Sequence, residues 1–245
     1  MTDLPLEPAP RQPADPLSVD VPVAFQDPVY VAAIVDLLGA IAYGELSAFE
    51  RLAEDVKLAP SLEDKSELGA MASAEFGHFA RLRERLAELG ANPFEAMSPF
   101  QAPIDAFHAH TAPTTWLEGL VKAYVGDGLA ADFYREVAAF VDVDTRTLII
   151  ESLEDTGHSD FVVDRVRKAI EADHRVGGRL ALWGRRLMGE ALSQAQRVAA
   201  ERDALSALLA GGVDRPGMDL AAIGRMFARL TENHAKRMAQ LGLAS

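Results

Sequence analysis

Carboxylate and imidazole side chains recur along this chain in two groups of the same layout. In each group a lone carboxylate is followed, about thirty residues later, by a carboxylate-x-x-His pair. The members are Glu45, Glu75 and His78 in the first group and Asp127, Asp155 and His158 in the second. Four antiparallel helices would bring these four carboxylates and two imidazoles together in a bundle core. The spacing therefore predicts a carboxylate-bridged site for two metal ions.

The elements that must position these residues are predicted to be helices. Residues 1–26 are rich in Pro, Asp and Ala and lack periodicity, which predicts a disordered arm. From residue 27 onward the apolar spacing is helical, and no segment alternates like a strand. The predicted helices cover 28–56, 61–90, 113–141, 142–176, 179–210 and 218–241, with a Pro-containing crossover at 91–112. We expect an all-α, ferritin-like antiparallel bundle in one domain, 27–245, with a four-helix core over 28–172 and two further helices over 179–241.

The predicted ligands lie on the apolar stripes of their helices. Glu45 follows Leu38 and Ile41 at helical spacing, and His78 precedes Leu82 in the same way. A carboxylate in such a position costs several kcal/mol unless it is paired or binds a metal. Glycines also flank the ligands, at Gly44, Gly77, Gly126, Gly128 and Gly157. Because glycine inside a helix costs about 1 kcal/mol relative to alanine, this repetition indicates space around a site or close helix packing.

Two other histidines also follow an acid by three residues. They are His108 after Asp105 and His174 after Glu171. His108 falls in the crossover, and His174 is expected at the C-terminal end of the fourth helix, where the helix dipole favours a histidine. Neither has a partner carboxylate on an apolar stripe one helix upstream, so neither is predicted to be a ligand.

The fourth helix offers more than one carboxylate. Glu151 and Glu154 are alternatives to Asp155, which is preferred because it precedes His158 by three residues, as in the first group. Carboxylates and neutral imidazoles are suitable ligands for iron or manganese. Since the chain has no cysteine, thiolate sites and disulfides are excluded.

Charge and hydropathy limit the classes of partner. The net charge of −13 argues against a protein that grips nucleic acid through phosphate contacts. No apolar run reaches the ~18 residues that span a membrane, and no signal peptide is recognisable. We therefore expect a cytoplasmic protein without a membrane partner.

Three strings around the predicted ligands resemble the ferritin-like superfamily. They are AYGELSAFE at 42–50, SAEFGHF at 73–79 and EDTGH at 154–158. Within that superfamily the chain is most similar to the branch of the tRNA hydroxylase that acts on methylthio-isopentenyl-adenosine. The resemblance covers about 30–172. It departs from the superfamily pattern at Asp127 and Asp155, where glutamate is usual.

The resemblance implies a non-haem di-iron oxygenase that hydroxylates a C–H bond. Its cofactors would be two iron ions, with manganese as an alternative, and its partners O₂, an organic substrate and an electron-donor protein. The family favours tRNA as the substrate, whereas the net charge disfavours it and favours a small or hydrophobic molecule.

Several remaining features have simpler interpretations beside functional ones. Tyr43 and Tyr124 lie near the predicted ligands and are candidates for a redox or hydrogen-bonding role around the metals, although packing is the favoured explanation. The apolar stretch 187–210 would cover the bundle or form a homodimer contact, and His234 is expected at the surface. A basic cluster either contacts tRNA phosphates or pairs with acids, and its members are Arg165, Lys168, Arg175, Arg179, Arg185 and Arg186.

Two functions compete with the hydroxylase. One is a di-metal ferroxidase or scavenger of oxidants, and the other is a helical interaction module with a vestigial metal site. A roomy apolar pocket beside the metals would favour the hydroxylase, whereas a closed site with an acidic entry would favour the ferroxidase.

Overall fold

The computed structural model describes residue 25 and residues 27–153, 158–211 and 218–245, with the backbone alone for His158 and Leu220. In that part of the chain every regular element is a helix, so the predicted all-α class is confirmed. The helices are α1 Pro28–Asp55, α2 Leu62–Glu88, α3 Pro93–Met97, α4 Gln101–His110, α5 Trp116–Ala138, α6 Val143–Ser152, α7 His158–Ala172, α8 His174–Glu201, α9 Asp203–Ala210 and α10 Leu220–Gln240. The predicted arm at 1–26 lies outside the described residues except for Phe25.

The hairpin of α1 and α2 is the most extensive helix pair of the structure. Asp27 caps α1 by accepting a hydrogen bond from the Val29 amide, and Ser61 caps α2 in the same way from the Asp64 amide at 3.1 Å. Gly90 follows α2 with a φ of +73°, a left-handed conformation that glycine adopts without strain. Local sequence therefore sets the ends of the two helices that carry the first predicted ligand group.

Two of the three hydrophobic clusters among the described residues lie on either side of the predicted metal site. The first joins α1, α2 and α3 to parts of α5, α6 and α9 around Ile34, Ile41 and Leu82. The second joins α5, α7, α8 and α10 around Leu120 and Val162. The ligand-bearing turns of α1, α2 and α5 lie between these clusters, where apolar packing on both sides holds their backbones.

The crossover at 91–112 contains two helices, α3 and α4, instead of an irregular connection. Asn92 caps α3 through its side chain, and Pro93 occupies the first helical position, where its missing amide costs nothing. α3 packs closely on α1 at Gly39. A Cβ on that residue would approach the Ala96 carbonyl oxygen to 2.3 Å, so only glycine permits this contact.

The predicted fourth helix, 142–176, is divided between α6 and α7, and residues 154–157 lie outside the described residues. The following helix begins at His174 and not at residue 179. Asp173 caps it by accepting a hydrogen bond from the Arg175 amide at 2.9 Å. His174 is thus the exposed first residue of α8, and not the end of the fourth helix. Gly177 and Gly178 lie inside α8, because burial of its apolar face outweighs their weak helix propensity.

The helix predicted at 179–210 ends early and resumes as α9, so three helices follow α7 among the described residues. Arg202, between α8 and α9, leaves the helical conformation with φ −124° and ψ 84°. Its guanidinium binds both carboxylate oxygens of Asp36 at 2.5 and 3.1 Å. Since Asp36 is buried on α1, this bidentate ion pair accounts for the break.

His234 was expected at the surface but is buried, with 5% of its surface exposed. It belongs to the buried stripe of α10 together with Met226, Leu230, Met238 and Leu241. Burial, and then the Arg237 charge, lower the pKa of His234. It is therefore a neutral core residue at physiological pH.

One helical stretch, Pro28–Leu58, is long and apolar enough to cross a membrane, which corrects the expectation that no such run exists. Most of its apolar window, 61%, is buried inside the structure against α2, α3 and α9. The core helix of a globular domain passes the same test as a membrane span, because a protein core and a lipid bilayer are both apolar surroundings.

Candidate metal centre

Three of the six predicted ligands meet in space. Possible ligand atoms of Glu45, Glu75 and His78 all lie within 4.8 Å of one another. The His78 Nδ1 atom is 3.5 Å from Glu45 Oε2 and 3.7 Å from Glu75 Oε2. Glu45 is buried on α1, while Glu75 and His78 lie one turn apart on α2. Two carboxylates and an imidazole at this spacing could hold one metal ion.

The electrostatics of this group favour extra protons when no metal is bound. Burial raises the pKa of Glu45 well above its ordinary value, and the neighbouring Glu75 raises it further, while His78 acts in the opposite direction. Hydrogen bonds to Glu45 and Glu75 raise the pKa of His78 to about 9. At neutral pH the metal-free group therefore retains protons, including the one that makes His78 an imidazolium. A divalent cation would replace these protons.

The second predicted group is only partly within the described residues. Asp127 lies on α5, lines the same cavity as Glu45, and its charge raises the Glu45 pKa. Asp155 and the alternative Glu154 lie outside the described residues, as does the side chain of His158. Ser152, Leu153 and Ser159, on either side of that gap, line the cavity. Described residues on both sides of the gap therefore reach the cavity that holds the first group.

The alternative ligand Glu151 and the two histidines set aside earlier, His174 and His108, are not part of the group formed by Glu45, Glu75 and His78. The side chain of Glu151 is exposed at the end of α6, and its carbonyl accepts a hydrogen bond from Arg81 at 3.4 Å. His174 is exposed at the start of α8. His108 does line the cavity, but beside Arg51 and Lys122.

The hydroxyl groups of Tyr43 and Tyr124 donate hydrogen bonds to other partners. Tyr43 bonds to Asp105 on α4 at 2.7 Å, and Tyr124 to Gln240 on α10 at 2.6 Å. Sequence reasoning passed over Tyr134, whose hydroxyl lies 3.6 Å from where a Cβ on Gly44 would stand. Burial and then the Glu45 charge raise its pKa. The sequence signal for Tyr134 was its position on the apolar stripe of α5, seven residues after Asp127, which places the two side chains on the same face of the helix.

A large, mostly apolar cavity adjoins the three clustered ligands. Its volume is about 380 Å³, within the range of small-molecule sites. Helices α1, α4, α5, α8, α9 and α10 supply its apolar wall, which includes Leu37, Phe107, Phe133, Leu192, Ala195, Leu209 and Phe227. The stretch 187–210, predicted as a cover or a dimer face, therefore contributes several of its apolar side chains to this cavity.

The end of the cavity near α4 is polar. Arg51, Asp55, His108 and Lys122 line it. Sequence reasoning missed this group because Lys122 was not on the α5 stripe that contains Asp127. The sequence did contain a signal that Lys122 faces inward. Lys122 precedes Val125 by three residues and Leu129 by seven, which is helical spacing, and both of these residues are buried.

Four of the six side chains in the basic cluster considered for tRNA binding contact groups of the protein itself. Arg165 contacts Asp64, Glu63 and Asp164 at 2.7 to 3.0 Å, and Lys168 contacts Asp164 at 2.9 Å. Arg186 donates to the His110 carbonyl at 2.6 Å, and Arg185 to the Ala244 carbonyl at 3.0 Å. Two members of the cluster, Arg165 and Lys168, are therefore paired with acids.

Comparisons with known proteins identify a family and similar solved structures. A family model described as "Ferritin-like domain, actinomycetes" matches residues 28–212. The structure resembles that of Protein 19 with aldehyde deformylating oxidase activity from Synechococcus, with a TM-score of 0.67 and 20% sequence identity. The match covers 89% of this chain and 94% of the other, and at that identity it concerns the fold. No match is found among curated proteins.

Proposed function

Since this chain belongs to the family of ferritin-like domains described from actinomycetes, we propose that it is a non-haem di-iron oxygenase that hydroxylates an apolar organic substrate. The observation that carries the proposal is the contact between the Glu45, Glu75 and His78 group and a cavity of about 380 Å³. Because the metal-ligand group opens onto an apolar cavity, the metal ions that would carry out redox chemistry would lie beside the space where an apolar substrate would bind.

The donor set fits iron. Glu45, Glu75 and His78 supply two carboxylates and one imidazole on one side of the cavity, and Asp127 lies near enough to act on Glu45. We propose Asp127, Asp155 and His158 as the ligands of the second ion. Two bound iron ions would supply the reduction of O₂ with electrons from an external donor, so that one oxygen atom enters a C–H bond and the other leaves as water.

The protein's own residues prepare this site in three ways. The clusters on either side of Glu45 hold its helix rigidly, so little reorganisation accompanies metal binding. Burial keeps the pKa of Glu45 high, and its contact with His78 raises the pKa of that histidine, which favours exchange of these protons for a cation. The apolar wall, including Phe133 and Leu192, excludes water and orients a hydrocarbon.

The cavity also separates the hydroxylase from its competitors. A ferroxidase needs a path for hydrated iron, whereas the walls of this cavity are mostly apolar. An interaction module would have no need for a buried group of acids, which is costly without a ligand. The aldehyde deformylating oxidase activity in the name of the solved relative also supports an oxidative reaction. We keep tRNA as a substrate to be tested, although the pairing of two members of the basic cluster with acids and the net charge of −13 both weaken it.

The first experiment is elemental analysis of the full chain expressed with iron and manganese supplied. We expect about two iron atoms per chain, from the ligand set of a di-iron site, and consumption of O₂ when a reductant and an apolar substrate are added. Two manganese ions would retain the site but argue against the hydroxylase. Intact helical protein without metal would overturn the proposal.

Ligand variants make the test specific. Glu75→Ala or His158→Ala should abolish bound iron, because each removes a donor to one of the ions. His174→Ala is the matched control, since this histidine also follows an acid by three residues but is exposed at the start of α8. Equal loss of iron from His174→Ala would show that the ligand assignment is wrong.

A further inference from the structure

The polar end of the cavity contains a buried cation whose ammonium group donates no hydrogen bond to any described residue. Only 7% of the surface of Lys122 is exposed, and this residue lines the cavity. Its Nζ atom lies 5.6 Å from the centre of the Phe107 ring, in a cation–π contact. A buried ammonium normally has at least one hydrogen-bonding partner, so this position lacks an acceptor.

Two further donors face the same space. The Nδ1 atom of His108 and the Nε atom of Arg51 are both buried without a hydrogen-bonding partner among the described residues. Burial, and then the charges of Lys122 and Arg51, lower the pKa of His108 to about 3, so its ring is neutral and able to donate from one nitrogen. Lys122 Nζ and Arg51 Nε are donors, and His108 Nδ1 is a third in the tautomer that carries its proton there. Unpartnered donors around one end of a cavity indicate that an acceptor group belongs there.

The acid at this end does not fill that role. Burial lowers the pKa of Lys122 to about 8, and the charge of Asp55 acts against that shift. The Asp55 carboxylate packs against Gly119 and makes no hydrogen bond to the Lys122 Nζ atom. Burial is the main cause that raises the pKa of Asp55. The outer nitrogens of Arg51 contact Glu50 and Glu54 at the surface and leave its Nε atom facing inward. Asp55 therefore attracts Lys122 electrostatically, while the hydrogen-bonding positions of the Lys122 ammonium group stay available.

This end is separated from the metal-ligand group by about two to three helical turns. Glu45 and Arg51 are six residues apart on α1, which is about 9 Å along the axis, and Glu45 and Asp55 are about 15 Å apart by the same measure. The cavity runs continuously between them beside Ala48 and Leu52. A molecule that reached from Lys122 to Glu45 would therefore need a medium-length apolar chain.

We propose that Lys122, with His108 and Arg51, binds the carboxylate head of an amphiphilic acid whose hydrocarbon chain lies along the cavity toward Glu45. The position of the chain as substrate rests on the proposed function, but recognition of the head does not require a metal. The acid binds with its head remote from the ligand group, so a carbon inside the chain is placed for oxidation.

The test is calorimetric titration of the metal-free full chain with decanoate and with decanol at pH 7. The two probes share a hydrocarbon chain and differ in the charge of the head. We expect decanoate to bind about ten- to a hundredfold more tightly than decanol, the range of a charge-assisted hydrogen bond. Lys122→Met, which keeps the length of the side chain, should remove this preference and leave decanol binding unchanged.

Two further variants control for folding and for general charge. Asp55→Asn removes the competing carboxylate and should tighten decanoate binding, a gain that damage to the fold would not produce. Lys168→Met removes an exposed lysine that pairs with Asp164 and should change neither affinity. Equal affinity for the two probes, or a preference that survives Lys122→Met, would overturn the inference, as would failure of decanoate to bind.

The result is independent of the proposed function. If decanoate binding depends on Lys122 and the protein as expressed contains no iron, the head-group site is supported and the oxygenase proposal fails. Two iron atoms per chain without any preference for decanoate would retain the oxygenase and remove the head-group site.

Discussion

The protons of the ligand group give the metal-free protein a distinctive pH dependence. The His78 pKa is raised to about 9 by Glu45 and Glu75, while burial raises that of Glu45. A raised histidine pKa stabilises the fold fully below its unfolded value near 6.5, and this contribution is lost as the pH rises to about 9. A buried carboxylic acid with a raised pKa acts in the same direction, because ionisation is disfavoured in the folded state.

We therefore expect the melting temperature of the metal-free protein to fall between pH 6.5 and pH 9. Thermal unfolding followed by circular dichroism in the presence of a chelator measures it. His78→Leu should flatten this part of the profile, whereas His174→Gln, at an exposed position, should keep the slope of the parent. A melting temperature that rises with pH over this range would contradict the assigned protonation.

At the scale of elements, helix packing depends on particular small residues. Gly39 lets α3 approach α1, because a Cβ there would come within 2.3 Å of the Ala96 carbonyl oxygen. Gly69, inside α2, has no neighbouring atom within 4 Å of an added Cβ. The two glycines share a helical setting and differ in tertiary contact.

Alanine should consequently have opposite effects at these two positions. Gly39→Ala should destabilise the protein by about 1–3 kcal/mol through overpacking. Gly69→Ala should stabilise it by up to about 1 kcal/mol through helix propensity. Urea unfolding of both variants checks the pair, and equal effects would show that α3 does not pack on α1 as described.

The ion pair between Asp36 and Arg202 connects α1 to the junction of α8 and α9. Asp36 is 7% exposed, so removing its partner leaves an almost buried charge. Arg202→Met should cost about 2 kcal/mol of unfolding free energy. Arg197→Met, which removes the exposed pair with Glu201, should cost less than about 0.5 kcal/mol. Equal costs in urea unfolding would argue against the bidentate contact.

At the scale of the whole molecule, the cavity is the space that six helices leave between them. Ala195 on α8 lines it, while Ala200 on the same helix is exposed. Ala195→Phe should fill part of the cavity and weaken decanol binding at least about tenfold, while leaving the iron content unchanged. Ala200→Phe adds the same side chain at the surface and should bind decanol like the parent. Equal calorimetric affinities would place the binding site elsewhere.

The homodimer and the electron-donor protein stay predictions at this scale. Leu192, Ala195, Val198 and Leu209, within the stretch expected to form a dimer contact, line the cavity. Their apolar character is therefore accounted for within one chain, and a dimer would need another surface.

The sequence by itself determined the helical class, the caps of α1 and α2, and the residues that meet as Glu45, Glu75 and His78. These follow from local chemistry and from helical periodicity, which place a side chain on a face whatever the partner helix. Even the burial of His234 was present in the spacing of Met226, Leu230 and Met238.

Only the tertiary structure decided the break at Arg202, the close contact at Gly39 and the polar end of the cavity. Each depends on atoms that are far apart in sequence: Asp36 for Arg202, Ala96 for Gly39, and α4 for Lys122. An apolar stripe in the sequence shows which side chains of a helix face inward. It does not show whether such a side chain contacts a neighbouring helix or lines an empty space. The cavity is such a space, because its volume is set by how six helices pack and not by the pattern of any one.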